Sequence, residues 1–271
     1  MGYLLVTNDD GVDSPALVPL MRALSELREV RAVVPSEERS WISKAITRWD
    51  RVRTRQVRRD GFEIVAVEGG YPADCTNLAV HSLFDEPPEA VVSGINIGLN
   101  SGLGFFLSSG TVGAATESWI AGIPAFAFST GMQGDDRSWK KQAHGDDAAE
   151  LWERASGICA DVVRQILDAG FPDRVDLLNV NFPADACVET QRVVTDLAVV
   201  GYGRLFSPVV GEGEGIFEHD FDGVLTKGEA RAGTDVAVLR SGRVSITPVR
   251  LAHASELPEG MKELLERRGT E

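Results

Sequence analysis

Tyr3-Leu4-Leu5-Val6-Thr7-Asn8-Asp9-Asp10-Gly11-Val12-Asp13-Ser14-Pro15 opens the chain, and the order of residue types in this stretch decides the fold. Residues 3–7 predict a buried strand, and an Asx-Asp-Gly turn stops it. Ser14-Pro15 then predicts a helix, with Ser14 as N-cap, Pro15 at the first position, and Leu17, Leu20, Met21 and Leu24 on one face. Residues 30–34, ended by Pro35, read as a second strand, so the opening is a β-α-β unit with a right-handed crossover.

Working outward, residues 51–56 and 62–68 alternate across Arg59-Asp60-Gly61, which predicts a hairpin (about 51–68) inserted into an α/β core. A helix over 73–83, a short strand over 90–93, a helix over 111–121 and a strand over 125–128 follow. The polar stretch 131–145 reads as a surface loop before a helix over about 146–167, and a strand over 176–180 closes the core. This alternation predicts an α/β protein with a doubly wound, mainly parallel sheet over 1–183. Residues 184–271 read as a β-rich extension that reaches toward another subunit. It has strand-like pieces around 190–200, 234–240 and 243–248, a Gly-rich excursion at 211–233 and a terminal helix from about Pro258.

The 271 residues suffice for a large core, and 43% hydrophobic with 25% charged residues is ordinary for a soluble protein. No apolar run approaches the roughly 20 residues that cross a bilayer. A formal charge of −14 argues against nucleic-acid polymers as partners, because their binding depends on Lys and Arg. A small phosphorylated ligand would therefore need a metal ion, a helix N-terminus or a well-placed cation. The start of the chain lacks the pattern of an export signal. Cys75, Cys159 and Cys187 show no metal or disulfide spacing, which fits reduced thiols in the cytoplasm.

Four segments fall on the carboxyl rim of the predicted sheet, where open α/β proteins bind ligands. Asn8-Asp9-Asp10-Gly11 puts two like charges side by side, which a cation would reconcile, although the tetrapeptide is also common turn chemistry. Pro35-Ser36-Glu37-Glu38-Arg39-Ser40 and Ser43 offer hydroxyls for a hard metal or a phosphate, or merely turn caps. Asn96, in Val92-Ser93-Gly94-Ile95-Asn96-Ile97-Gly98, offers a neutral oxygen or a plain Gly/Asn loop. Ser108-Ser109-Gly110-Thr111 opens a helix, which is an anion site by construction as well as a capping sequence. No P-loop, glycine-rich dinucleotide fingerprint, G-x-S-x-G elbow or H-E-x-x-H pair is present. His81, His144, His219 and His253 are scattered and read as structural or exposed.

LLVTNDDGVDSP (4–15), GYPADCTNLAV (70–80), VVSGINIGLNSG (91–102), SGTVGAATE (109–117), LLNVNFP (177–183) and GTDVAVLRSGRVSITPV (233–249) resemble, in this order, the blocks of the SurE family of stationary-phase survival proteins, which act as nucleotidases. The resemblance implies a Rossmann-like three-layer core whose C-terminal part exchanges with a neighbour to give homodimers or homotetramers. It implies one divalent ion, Mg²⁺ or Mn²⁺, on Asp9, Asp10, Ser40 and Asn96, and phosphate held by Asn96, Ser109, Gly110 and Thr111. The implied activity is hydrolysis of nucleoside 5′- and 3′-monophosphates. The mechanism expected from the residues is a metal-polarised water attacking phosphorus, with Asp9 ahead of Asp10 as the carboxylate that moves the proton. A binder of the same ligands with little turnover is the alternative. The chain departs from the family at Trp41-Ile42-Ser43-Lys44, where Gly-x-Ser usually follows Ser40, and at Phe105-Phe106-Leu107-Ser108, where an aromatic residue often precedes Ser-Gly-Thr. Trp41 or Phe106 is expected to stack on the base, against the alternative of core or subunit packing.

Overall fold

Strand β1, Tyr3–Thr7, forms where the sequence places it, and all five of its residues are buried. Burial on both faces suits a central parallel strand, since helices cover each side. The structure, a computed structural model, describes residues 2–131, 136–209, 215–221, 230–251 and 258–265. Within them the strands β2 (Glu29–Pro35), β3 (Arg53–Arg59), β4 (Phe62–Glu68), β5 (Ala90–Ile97), β6 (Ala125–Gly131), β7 (Leu177–Pro183), β8 (Arg192–Val194) and β11 (Val244–Val249) join β1 in one nine-stranded sheet. Its order is β3-β4-β2-β1-β5-β6-β7-β11-β8. The six strands from β4 to β7 are parallel, and β3 lies antiparallel at one edge. The alternation read from the sequence is therefore the architecture that the chain adopts.

The period of two along β1 sorts its side chains between two layers. Leu4 and Val6 enter a cluster with Leu17, Leu20 and Leu24 of α1 (Leu17–Ser25) and with Ile158 and Val162 of α6 (Ala149–Ala169). Tyr3 and Leu5 pack on the other side with Cys75 of α2 (Pro72–Leu78). There α2 lies against α4 (Gly110–Ile120). The result is the expected helix-sheet-helix sandwich.

Several boundaries differ from the sequence reading. The first helix starts at Leu17, and Ser14 is not its cap. Pro19 explains the shift: it has no N–H and its ring would strike a carbonyl one turn back, so it is tolerated only in the first turn, where it now sits. The supposed loop 131–145 contains α5 (Asp136–Ala143). Its buried Trp139 and Ala143 lie four residues apart on one face, and Trp139 packs near Trp152 with ring centroids 6.5 Å apart. So few apolar anchors in a polar segment gave no periodic signal. Residues 234–240, read as strand-like, form the helix α7 (Asp235–Arg240), in which Val236, Val238 and Leu239 are buried. A short apolar run cannot separate the two periods.

Beyond Pro183 the same sheet continues, β11 antiparallel to β7 and β8 parallel to β11. A separate ribbon pairs β9 (Phe206–Pro208) with β10 (Phe217–His219). The terminal helix α8 spans Glu259–Leu265. Parts of the expected Gly-rich excursion at 211–233, and His253, lie outside the described residues.

Candidate active site

The sheet order places a crevice. From β1 the chain moves outward to β2 and β4, then returns to β5 on the other side and moves away to β6 and β7. Strand order thus reverses between β1 and β5, and the carboxyl ends of strands flanking such a reversal leave an open cleft. Asp9 and Asp10 follow β1, and Asn96 and Ile97 end β5, so the acidic pair and the neutral amide meet at this cleft.

Asn8 builds the turn: its Nδ2 donates to the Gly11 carbonyl at 3.0 Å and its Oδ1 accepts from the Gly11 N–H at 3.1 Å. Gly11 has φ 88°, and a Cβ there would meet the Glu37 carbonyl carbon at 2.8 Å, so only glycine lets the 36–40 segment come this close. That segment is stapled in place by the Arg39 N–H, which donates to the Asp9 carbonyl at 2.7 Å. From the opposite side comes the start of α4. Ser109 caps it by accepting from the Val112 N–H at 3.1 Å, and Thr111 donates its hydroxyl to Asp9 Oδ1 at 2.7 Å. A Cβ on Gly110 would lie 2.9 Å from Asp9 Cβ and 3.0 Å from its Oδ2. The helix start therefore rests directly on the carboxylate.

Asp9 is 3% exposed, and its carboxyl is pushed up to about 6, chiefly by burial, against the hydrogen bond from Thr111. Asp10, which accepts the Ile97 N–H at 3.1 Å, is pushed well above the ordinary carboxylate range by burial and then by the charge of Asp9. Two neighbouring acids that each resist ionisation are what a hard cation would relieve. Asn96 donates its Nδ2 to the Gly98 carbonyl at 2.7 Å. This fixes the amide and leaves Oδ1 without a partner among the described residues. The donor set suits an oxygen-seeking dication.

Ser40 and two residues that sequence reasoning missed complete this rim. Ser40 Oγ donates to Glu38 Oε1 at 2.6 Å, and Lys140 Nζ lies 2.5 Å from the same oxygen. Burial opposes ionisation of Glu38, but its hydrogen bonds with Lys140 and Ser40 hold its carboxyl below its ordinary value. Glu38 stood in a segment already singled out, whereas Lys140 sits on the unpredicted α5 and had no signal. Among the described residues no hydrogen bond brings Ser43 to the acidic pair: its N–H donates to the Ser108 carbonyl at 2.9 Å, and its backbone packs against Gly113.

Trp41 has φ 59° and Ser43 φ 55°. Position 41 thus holds a left-handed backbone conformation that favours glycine, at a cost to an L residue of roughly 1–2 kcal/mol. Its ring touches those of Phe105, Tyr202, His219 and Phe221 edge to face, with centroids 5.2–5.9 Å apart. Phe106, by contrast, is 3% exposed and packs with Val112, Ala115 and Leu177. It belongs to the core and cannot reach a base.

A doubly wound α/β sheet with an oxygen-rich acidic pair at its switch point, set against a helix N-terminus, defines a small-ligand protein of the Rossmann-like class. The family model described as survival protein SurE matches residues 4–203. Over 276 residues the chain is 36% identical to the 5′-nucleotidase SurE of Methanothrix thermoacetophila, covering 98% of this chain and 99% of that protein. It is also 36% identical to the protein of that name from Methanospirillum hungatei, covering 92% and 86%. The crystal structure of the SurE protein from Aquifex aeolicus superposes with a TM-score of 0.74 at 30% identity, over 97% of this chain and all of that one. The chain belongs to the SurE family.

Proposed function

We propose that this protein is a metal-dependent nucleotidase that hydrolyses nucleoside 5′- and 3′-monophosphates to nucleoside and phosphate. The observation that carries the reading is the acidic pair at the switch point: Asp9, buried and packed under the first turn of α4, and Asp10, half-buried beside it and held by the Ile97 N–H. The names of the relatives support nucleotide monophosphates as the substrate class. A dication such as Mg²⁺ or Mn²⁺, held by Asp9, Asp10, Ser40 and Asn96, would supply a polarised water and neutralise charge on the phosphoryl oxygens.

The chain's own groups do the rest. The Gly110 and Thr111 N–H groups, in the first turn of α4, have no helical acceptor of their own and would donate to a phosphate, and the Ser109 hydroxyl keeps its proton for a phosphate oxygen while its lone pair caps the helix. The Thr111 hydroxyl is spent on Asp9, so its side chain orients the carboxylate and only its backbone serves the phosphate. Asp9, poised near neutrality, is suited to take and return a proton. Steady phosphate release from AMP with Mn²⁺, abolished by a chelator, supports the enzyme. Nucleotide binding without release would leave a binding protein in its place.

Proton and metal compete for the same oxygens. With the Asp9 carboxyl near 6, lowering the pH from about 7 to about 5 is expected to weaken Mn²⁺ binding about tenfold or more. Calorimetric titration reads this directly, and an affinity flat across that range contradicts it.

Trp41, with Phe105 and Tyr202 beside it, is assigned to the base. Stacking contributes about 1–3 kcal/mol, so Trp41→Ala should raise KM for nucleotides by roughly 5- to 150-fold and leave a small aryl phosphate little changed. Equal effects on both substrates would return Trp41 to packing alone.

The C-terminal region is assigned to a subunit contact that gives a homodimer or homotetramer. Val199, Phe206 and Phe217 are 79%, 56% and 60% exposed, which fits burial against a second copy. The buried free thiols Cys75 and Cys159 support a reducing, cytoplasmic setting. Among the described residues no helix is long and apolar enough to cross a membrane.

A further inference from the structure

An alcohol is a weak ligand for a hard cation unless its proton is taken up elsewhere. Ser40 meets that condition. Its hydroxyl proton is committed to Glu38 Oε1 at 2.6 Å, so the oxygen lone pairs point away from Glu38. Glu38 is itself held, because the same Oε1 lies 2.5 Å from Lys140 Nζ on α5. The Arg39 N–H bond to the Asp9 carbonyl at 2.7 Å sets the backbone between the two residues. Ser40 is therefore held in one orientation, with its lone pairs free of Glu38, on the segment bound to the Asp9 carbonyl. We propose that Glu38 is the positioning residue of the metal site: its carboxylate, braced by Lys140, accepts the hydrogen bond of the Ser40 hydroxyl so that the Ser40 lone pairs are left to serve as a ligand.

The inference rests on the metal-dependent reading above. Outer partners that hold a ligand by its proton raise the electron density on the ligating atom, and losing one typically costs about 10- to 100-fold in metal affinity. The pair adds little to folding, because the Glu38 and Lys140 side chains are 48% and 37% exposed and such pairs are worth at most about 1 kcal/mol. Changes at Glu38 should accordingly be read in the metal and not in the fold.

The test is Mn²⁺ titration calorimetry on the full chain near neutral pH, with the metal-free melting temperature measured beside it. Glu38→Ala is expected to raise the Mn²⁺ Kd by about 10- to 100-fold, and Ser40→Ala by a similar factor. In the double variant the second change should add less than about threefold, because Glu38 acts through Ser40. Glu38→Gln, whose amide oxygen can still accept the Ser40 proton, should recover most of the loss. An unchanged Kd in Glu38→Ala overturns the proposal. So does a double variant that loses the product of both factors, which would make Glu38 an independent charge. A wild-type chain that binds no Mn²⁺ would instead remove the reading beneath it.

Discussion

Asp9→Asn and Asp10→Asn should each lower metal-dependent phosphate release from AMP by about a thousandfold or more while the chain stays folded. The magnitude follows from the role assigned: a metal ligand supports several kcal/mol of transition-state charge stabilisation, and about 4 kcal/mol is a thousandfold in rate. Asparagine keeps the size of the side chain and an oxygen that can still accept from Thr111 or Ile97, so the loss falls on charge and ligation rather than on packing.

The same substitution at position 9 has a second expected consequence of opposite sign. The carboxyl ionises near 3.8 in the unfolded chain and near 6 in the folded one. Below the lower value it is protonated in both states and carries no penalty. As pH rises between the two values the unfolded chain ionises first, stability falls, and above the upper value the full penalty stands, of order 1–3 kcal/mol. An asparagine side chain never ionises, so metal-free Asp9→Asn should be more stable than wild type at neutral pH, and the difference should vanish below about pH 3. Urea denaturation in chelator checks this. Wild-type turnover in either variant would remove the acidic pair from the chemistry, and a less stable metal-free Asp9→Asn chain would mean that the carboxylate is held for packing.

The sheet was readable because its central strands are short, apolar and punctuated: Tyr3–Thr7 by Asn8-Asp9-Asp10-Gly11, Glu29–Pro35 by its own proline. Asp9, Asp10, Ser40 and Asn96 were readable as rim candidates for the same reason, since each comes after a strand start that the pattern had already located, whereas 109–111 were read from the helix they open. What the sequence hid depends on contacts between distant segments. Nothing in the polar run 136–143 announces a helix until Trp139 meets Trp152, and with that helix comes Lys140 beside Glu38. Thr111 looked like one more hydroxyl for phosphate, yet at 2.7 Å its proton belongs to Asp9, 102 positions away in sequence. Phe106 and Trp41 were equal candidates for a base because aromatic character says nothing about facing. The structure separates them, with one 3% exposed and the other 38%.

Gly94 shows how much of the site is backbone. Read from sequence, Ser93-Gly94-Ile95-Asn96 follows a strand ending at 93, but β5 runs on to Ile97, with its pairing to β6 shifted between Ser93 and Asn96. That irregularity carries Asn96 past the end of a regular strand and lets Ile97 donate its N–H to Asp10. It is built on Gly94, which has φ 130° and whose added Cβ would overlap the Phe128 carbonyl of β6. No rotamer relieves a clash with backbone inside a central parallel pair. Gly94→Ala combines backbone strain with overpacking, each about 1–3 kcal/mol, so a loss of about 3–5 kcal/mol is expected. For a chain of this size that lowers the melting temperature by roughly 10 °C or more. The surviving folded fraction should also bind Mn²⁺ more weakly, because β5 can yield only by moving Asn96 and Ile97. Thermal denaturation together with metal titration tests both effects. A Gly94→Ala chain with wild-type melting temperature and Mn²⁺ affinity would show that the tight passage beside Phe128 sets neither the fold nor the aim of Asn96.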